Sequence, residues 1–153
     1  MKIVATNRKA RRDYTILEAI DAGIALRGNE VKSLRTMNCS LDESFGRIEN
    51  NELFLYNMHI PEFAKSSYFK SDPKRVRKLL VHKKEIKRLI GLTVQKGCTL
   101  VPLKVYFSDR GIAKIELALA KGKQIQDKRR KIKEDIVKRE TERSLKRFYK
   151  KRR

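Results

Sequence analysis

Hydrophobic and polar positions alternate over much of the first 120 residues. In Thr99–Phe107, Val101, Leu103, Val105 and Phe107 recur at every second position, with Lys104 and Tyr106 on the opposite face. That period of two predicts a half-buried strand. Pro102 lacks an N–H, so the strand lies at an edge or is bulged there. Ser108-Asp109-Arg110-Gly111 reads as a turn, and residues 112–120 alternate again, Ile115, Leu117 and Leu119 against Lys114 and Glu116. Phe45–Glu49 and residues 53–58 flank Asn50-Asn51-Glu52, a hairpin signal. Residues 13–18 and 23–27 alternate more loosely and read as two further strands.

Two helices interrupt the strands. Asn29 can cap a short helix over residues 30–35 with its side-chain oxygen. A second covers residues 83–90, with Ile86, Leu89 and Ile90 as its apolar stripe and Gly91 as its stop. Short strands with few helices predict a mainly β body, a small closed barrel or sandwich. From residue 124 onward the pattern changes. Ile125, Ile132, Ile136, Leu145 and Phe148 give only a patchy stripe among basic residues. Such a face is too thin to dock firmly, and its like charges repel. The expectation is a body over 1–120 and a basic tail over 121–153, disordered when free and partly helical beside a polyanion.

Charge sharpens this picture. The 153 residues hold 39 Lys plus Arg against 18 Asp plus Glu, for a formal +21. Residues 1–120 carry 23 basic and 13 acidic residues, and residues 121–153 carry 16 and 5. No folding argument requires that excess, so it points to a polyanionic partner, nucleic acid first. No apolar run approaches the roughly 20 residues of a spanning helix. The N-terminal stretch lacks the apolar core of a secretory signal, so the cytoplasm is expected and no membrane partner. Cys39 and Cys98 form no CxxC, which predicts neither a disulfide framework nor a metal site. His59 and His82 have no partner at a catalytic spacing, Asp42-Glu43 and Glu134-Asp135 read as solvated surface, and no nucleotide-cradling loop occurs. The expectation is a non-enzymatic protein without a cofactor.

Three basic clusters carry the binding signal. Asn7-Arg8-Lys9-Ala10-Arg11-Arg12 precedes the first expected strand. Lys32 and Arg35 share one face of the short helix. Lys74-Arg75-Val76-Arg77-Lys78 follows Pro73 in an expected loop. Guanidinium forks suit phosphate oxygens, and each neutralised phosphate releases counterions. Tyr14, Tyr56, Tyr68 and Tyr106 could stack on bases, but packing is the favoured role for each. On residues alone the reading stops at an RNA- or DNA-binding β domain with a cationic arm.

Longer motifs go further. They are Asn7-Arg8-Lys9-Ala10-Arg11-Arg12-Asp13-Tyr14, Asp21-Ala22-Gly23-Ile24, Gly28-Asn29-Glu30-Val31-Lys32-Ser33-Leu34-Arg35, Arg77-Lys78-Leu79-Leu80-Val81-His82-Lys83, Gly97-Cys98-Thr99-Leu100-Val101-Pro102-Leu103, Leu119-Ala120-Lys121-Gly122-Lys123 and Asp127-Lys128-Arg129. In order and spacing they resemble the SmpB family, the SsrA-binding proteins of bacteria. The resemblance implies a small antiparallel barrel of the oligonucleotide-binding type with short flanking helices. It implies binding to the tRNA-like end of transfer-messenger RNA (tmRNA), as a monomer on that RNA. It also implies delivery to stalled ribosomes for trans-translation, the tail probing the decoding centre and vacant message channel. By matching position the resemblance implies RNA-binding roles for Asn7, Arg8, Lys9, Arg11 and Asp21, and the basic clusters add Lys32, Arg35, Arg75, Arg77 and Lys78 as RNA-binding candidates. The tail candidates are Lys121, Lys123, Gln126, Asp127, Lys128 and Arg129. Three positions depart from the family pattern: Arg12 stands where relatives commonly carry His, Asp21 where many carry Glu, and Gln126 where some carry His or an aromatic. A generic structural RNA-binding or ribosomal protein with a cationic extension is the alternative.

Overall fold

The computed structural model describes the backbone of residues 1–63, 72–123 and 125–151, and within α3 and α4 below it leaves the side chains of 95, 96, 125–131, 145 and 147–151 undescribed. Along the chain run β1 (Lys2–Thr6), α1 (Arg8–Asp13), β2 (Tyr14–Ile24), α2 (Gly28–Arg35), β3 (Phe45–Glu49), β4 (Glu52–Tyr56), β5 (Arg77–Leu80), α3 (Lys83–Lys96), β6 (Thr99–Phe107), β7 (Ala113–Gly122) and α4 (Ile125–Lys151). The chain divides into two compact units, Met1–Gly122 and Lys123–Arg153. Because β7 runs through Gly122, Lys121 and Gly122 belong to the sheet.

All strand pairings are antiparallel, and they return to their start. β6 pairs with β3, β3 with β4, β4 with β5, β5 with β2, β2 with β7, and β7 with β6 again. β1 adds to the far end of β6, where Lys2 lies opposite Phe107. The ring closes between β3 and β6 through one residue pair, Gly46 with Leu100. A Cβ on Gly46 would stand 2.9 Å from that of Leu100, closer than side-chain atoms normally come. Glycine is required at the closure because the two backbones approach there.

Two bulges decide which residues face the interior. In β2, Ile16 pairs with Ala120 and Glu18 with Leu119, so Leu17 is the extra residue. One inserted residue shifts the face of everything beyond it. Tyr14 and Ile16 pack on a small outer cluster of Ala10, Val101, Leu103, Ala118 and Ala120, whereas Ile20, Ala22 and Ile24 enter the main core. The two strands expected over 13–18 and 23–27 are therefore one strand with a phase change. β6 repeats the device between Pro102 and Lys104. Val101 and Leu103 join the outer cluster, while Leu100, Val105 and Phe107 face the core, so the single face expected for this strand is split. The bulge falls where Pro102 cannot donate to a ladder.

Other elements differ from expectation in detail. β1 and α1 were not foreseen: Asn7 ends one and caps the other, its Oδ1 accepting from Ala10 N at 3.0 Å. Asn50 and Asn51, at φ 49° and 59°, make the two-residue turn of the β3–β4 hairpin, which returns Glu52 to the strand. Helix α2 starts before Asn29, whose Oδ1 accepts from Glu30 N at 2.9 Å. Helix α3 continues through Gly91 to Gly97, a left-handed residue at φ 57°. Leu89 and Leu92 pack on the core and outweigh the glycine's cost of about 1 kcal/mol. In the second unit every described side chain of α4 is exposed.

Candidate nucleic-acid interface

The first basic surface is built by one buried amide. Asn7 is 4% exposed. Besides capping α1, its Nδ2 donates to Leu41 O at 3.1 Å and its backbone N–H to Leu103 O at 2.7 Å. With Ala10 packed into the small outer cluster, the remaining positions of the six-residue helix point outward, and Arg8, Lys9, Arg11 and Arg12 are all exposed. Lys9 reaches Asp42 at 3.5 Å and Arg12 reaches Asp13 at 3.1 Å. Arg8 has no ion-pair partner among the described residues. Asn7 itself is spent inside the fold, where it positions these cations.

Helix α2 presents the second surface. Leu34 is buried in the core, and the Ser33 hydroxyl donates to Pro61 O at 2.7 Å. That fixes the opposite face outward, with Lys32 and Arg35 exposed and without an ion-pair partner among the described residues. On the inward side of α2 itself lies Glu30, 5% exposed. Its carboxylate accepts from Arg27 N at 2.7 Å, from Arg75 Nε at 2.9 Å and from Arg77 Nε at 2.9 Å. Burial works to raise the Glu30 pKa. The hydrogen bonds from Arg75 and the Arg27 N–H, with the charges of both guanidiniums, prevail and hold it below the ordinary carboxylate value.

Arg77 is the clearest correction to the sequence reading. It belongs to β5 rather than to a loop, and it is fully buried. Its remaining donors go to Met58 O at 2.6 Å, Arg75 O at 3.1 Å and Pro73 O at 3.0 Å. Desolvation pulls its pKa down, against the attraction of Glu30. Arg77 holds the frame and Arg75 is half-buried beside it. In the Lys74–Lys78 run, Lys74 and Lys78 are the exposed cations.

The sheet brings together a third set that sequence spacing does not. A groove on its outer surface is lined by Asp21 and Gly23 of β2, Lys78 and Leu80 of β5, His82 and Lys83 at the start of α3, and Lys114 of β7. Gly23 pairs with Leu80 and leaves it room; a Cβ there would lie 3.3 Å from that of Leu80. Leu80 is 56% exposed, an apolar surface in a groove where Lys78, Lys83 and Lys114 stand among Asp21, Glu52 and Glu85. Lys78 pairs with Glu52, whereas Lys83 and Lys114 have no ion-pair partner among the described residues. Asp21 stands beside the Tyr106 phenol, which burial and a hydrogen bond to Asp21 push up to about 12. Tyr106 is buried and Tyr14 packs on the small outer cluster, as their packing role required; Tyr68 lies outside the described residues. Lys83 and Lys114 were missed because they share a groove with Asp21 only through strand pairing: Lys114 lies opposite Gly23, and Lys83 follows β5, which pairs with β2 at Gly23 and Ile24.

The α1 surface and the groove adjoin opposite ends of β2. Seven positions separate Tyr14 from Asp21, and about 3.3 Å per residue sets them roughly 20 Å apart. Two lysine- and arginine-bearing surfaces at that spacing, one with Arg8 and the other with Lys83 and Lys114 free of ion pairs among the described residues, suit a folded polyanion better than a small ligand.

The family model described as SmpB protein matches residues 4–147. The chain belongs to the SmpB family. It is 56% identical over 146 residues to the SsrA-binding protein of Pelotomaculum thermopropionicum, covering 95% of each chain. To that of Carboxydothermus hydrogenoformans it is 56% identical over 148 residues, covering 97% of this chain and 99% of the relative. To that of Thermosipho africanus it is 50% identical over 153 residues, covering all of both. A solved structure described as "tmRNA-SmpB: a journey to the center of the bacterial ribosome" holds a chain with 55% identity and a TM-score of 0.67, covering 79% of this chain and 85% of that one.

The tail candidates are placed less fully. Lys121 is exposed at the end of β7 opposite Thr15, and Lys123 is half-buried just beyond it. Gln126, Asp127, Lys128 and Arg129 fall in the first turns of α4, and their side chains lie outside the description.

Proposed function

We propose that this protein binds the tRNA-like end of tmRNA through its β body and delivers that RNA to stalled ribosomes for trans-translation in the cytoplasm. The observation that carries this reading is the groove, where Asp21, Lys78, Lys83 and Lys114 meet on one outer surface. Folded RNA is recognised through its phosphates, 2′-hydroxyls and shape. Lysines there take phosphate oxygens, Asp21 accepts from a hydroxyl or base amine, and the cations of α1 and α2 extend the contact. Asn7 and Arg77 act from beneath by holding those elements.

Residues 1–122, the body through the end of β7, form the RNA-binding part and the following residues the ribosome-directed part. The tail carries helix α4 in place of the disorder expected for its free state, and phosphates that neutralise its charge stabilise that helix. Gln126, Asp127, Lys128 and Arg129 contact the message channel, which is open to them when messenger RNA is missing. Membership of the SmpB family and the subject of the related solved structure support this assignment.

The test is retrieval of RNA from bacterial lysate at moderate salt, followed by sequencing. One tRNA-like RNA should be enriched over bulk RNA. The strongly basic sequence of α4 favours a second reading, a structural RNA-binding or ribosomal protein. Retention of bulk ribosomal RNA without selectivity would support it instead.

A further inference from the structure

The outer face of the β3–β4 hairpin carries an aromatic surface outside the three basic sets. Along β4, Leu53 and Leu55 are fully buried, so Phe54 and Tyr56 point outward, where both are half-buried. Phe45 lies opposite Tyr56, and Arg47 lies opposite Phe54. Phe54 in turn lies opposite Lys78 of β5. The Phe45 and Tyr56 rings are stacked, with centroids 5.3 Å apart and planes within 9°. Phe45 remains 37% exposed. The Tyr56 hydroxyl donates to Glu49 Oε1 at 3.0 Å, which fixes its ring.

We propose that Phe45, Tyr56 and Phe54 form a stacking platform for unpaired bases of an RNA whose backbone lies in the adjoining groove. The inference rests on the RNA-binding reading above and names a further contact. Lys78 and Glu52 line the groove, and Lys78 also stands at the edge of the aromatic row, so the two surfaces are continuous. A polyanion drawn by Lys83 and Lys114 therefore has its next nucleotides over β4. Parallel rings offer a π face that another planar ring can extend, and base stacking on aromatic residues tolerates any sequence. The ion pairs around the rings are exposed, Arg47 with Glu49 at 3.2 Å and Lys78 with Glu52. Such pairs are weak, so a phosphate can replace either carboxylate at little cost. The carboxylates also keep the local charge near zero, so the platform adds affinity by stacking rather than by counterion release.

That difference separates the platform from the groove. The probe is an unpaired RNA of about 12 nucleotides carrying 2-aminopurine, a length within the range such surfaces cover. Binding of the full chain should quench the 2-aminopurine fluorescence. Phe45→Leu with Tyr56→Leu should lower affinity about tenfold, the effect of losing one stacked base. It should abolish quenching and leave the slope of log K against log salt unchanged. Tyr56→Phe, which keeps the ring, should retain quenching. Lys78→Ala with Lys114→Ala should reduce the slope instead. Tyr56→Leu alone serves if the double variant melts early, and the wild-type quenching test needs no variant. Wild-type binding without quenching overturns the proposal, as does a double variant that binds and quenches like wild type. So does binding of folded tRNA-like RNA with none of the unpaired probe, an outcome that leaves the RNA-binding reading intact. Failure to bind either RNA overturns both.

Discussion

Arg77 Nε lies 2.9 Å from Glu30 Oε1, joining β5 to α2 across 47 positions of sequence, and neither side chain reaches solvent to any extent. The pair sets how α2 lies on the sheet and hence where Lys32 and Arg35 point. Arg75 also donates to Glu30 and extends the link to the segment before β5.

Arg77→Ala should destabilise the fold by about 3–5 kcal/mol, because it leaves buried acceptors without their donor. Three carbonyls lose a partner together with Glu30. Urea unfolding measures the loss. A change under 1 kcal/mol, with RNA affinity strongly reduced, would mean that Arg77 acts at the interface after all.

Acid should expose the same network. The folded Glu30 pKa lies below its ordinary value of 4.5. Its contribution is therefore complete above that ordinary value and is lost as pH falls through the lowered folded one. Glu18 beside Arg88 and Asp109 beside the N-terminus are lowered too, so wild type alone does not isolate Glu30. Glu30→Gln should be less stable at neutral pH and lose less stability between about pH 5 and 3. Parallel curves for the two proteins would rule out the assignment to Glu30.

Two glycines should respond oppositely to alanine. Gly46→Ala forces a methyl against the Leu100 Cβ where the ring closes and should cost about 1–3 kcal/mol. Gly91→Ala meets nothing within 4 Å in the middle of α3 and should add about 0.5–1 kcal/mol. Thermal melts of both decide whether the β3–β6 approach is as close as described.

Lys32→Ala with Arg35→Ala should weaken RNA binding and lower the salt slope by up to about 2, one for each phosphate released. The melting temperature should hold, since both side chains are exposed and unpaired among the described residues. A lower melting temperature with an unchanged slope would make the two residues structural.

The presence of strands at Thr99–Phe107 and residues 112–120, the Asn50-Asn51 turn and the basic tail were legible because they depend on short-range periodicity and charge. The motifs around Asn7, Gly28 and Lys121 likewise carried the family. Hidden from sequence were the consequences of pairing register. One extra residue at Leu17, which no local pattern announces, turns half of β2 to the outside; Pro102 did signal an edge or a bulge in β6, but not that the bulge would send Val101 and Leu103 to the outer cluster.

Burial of Arg77 was hidden for a related reason. Its cationic neighbours read as surface, and only the distant Glu30, three backbone carbonyls and the closed sheet make an interior place for it. The sequence by itself therefore determined the charge, the strand-rich body, the cationic tail and the family, all properties of residues near one another in the chain. Tertiary structure alone decided which cations face outward, which one lies inside, and that Asp21, Lys78, Lys83 and Lys114 share a groove. Those outcomes depend on how strands far apart in sequence are set side by side and on the desolvation that their closure imposes.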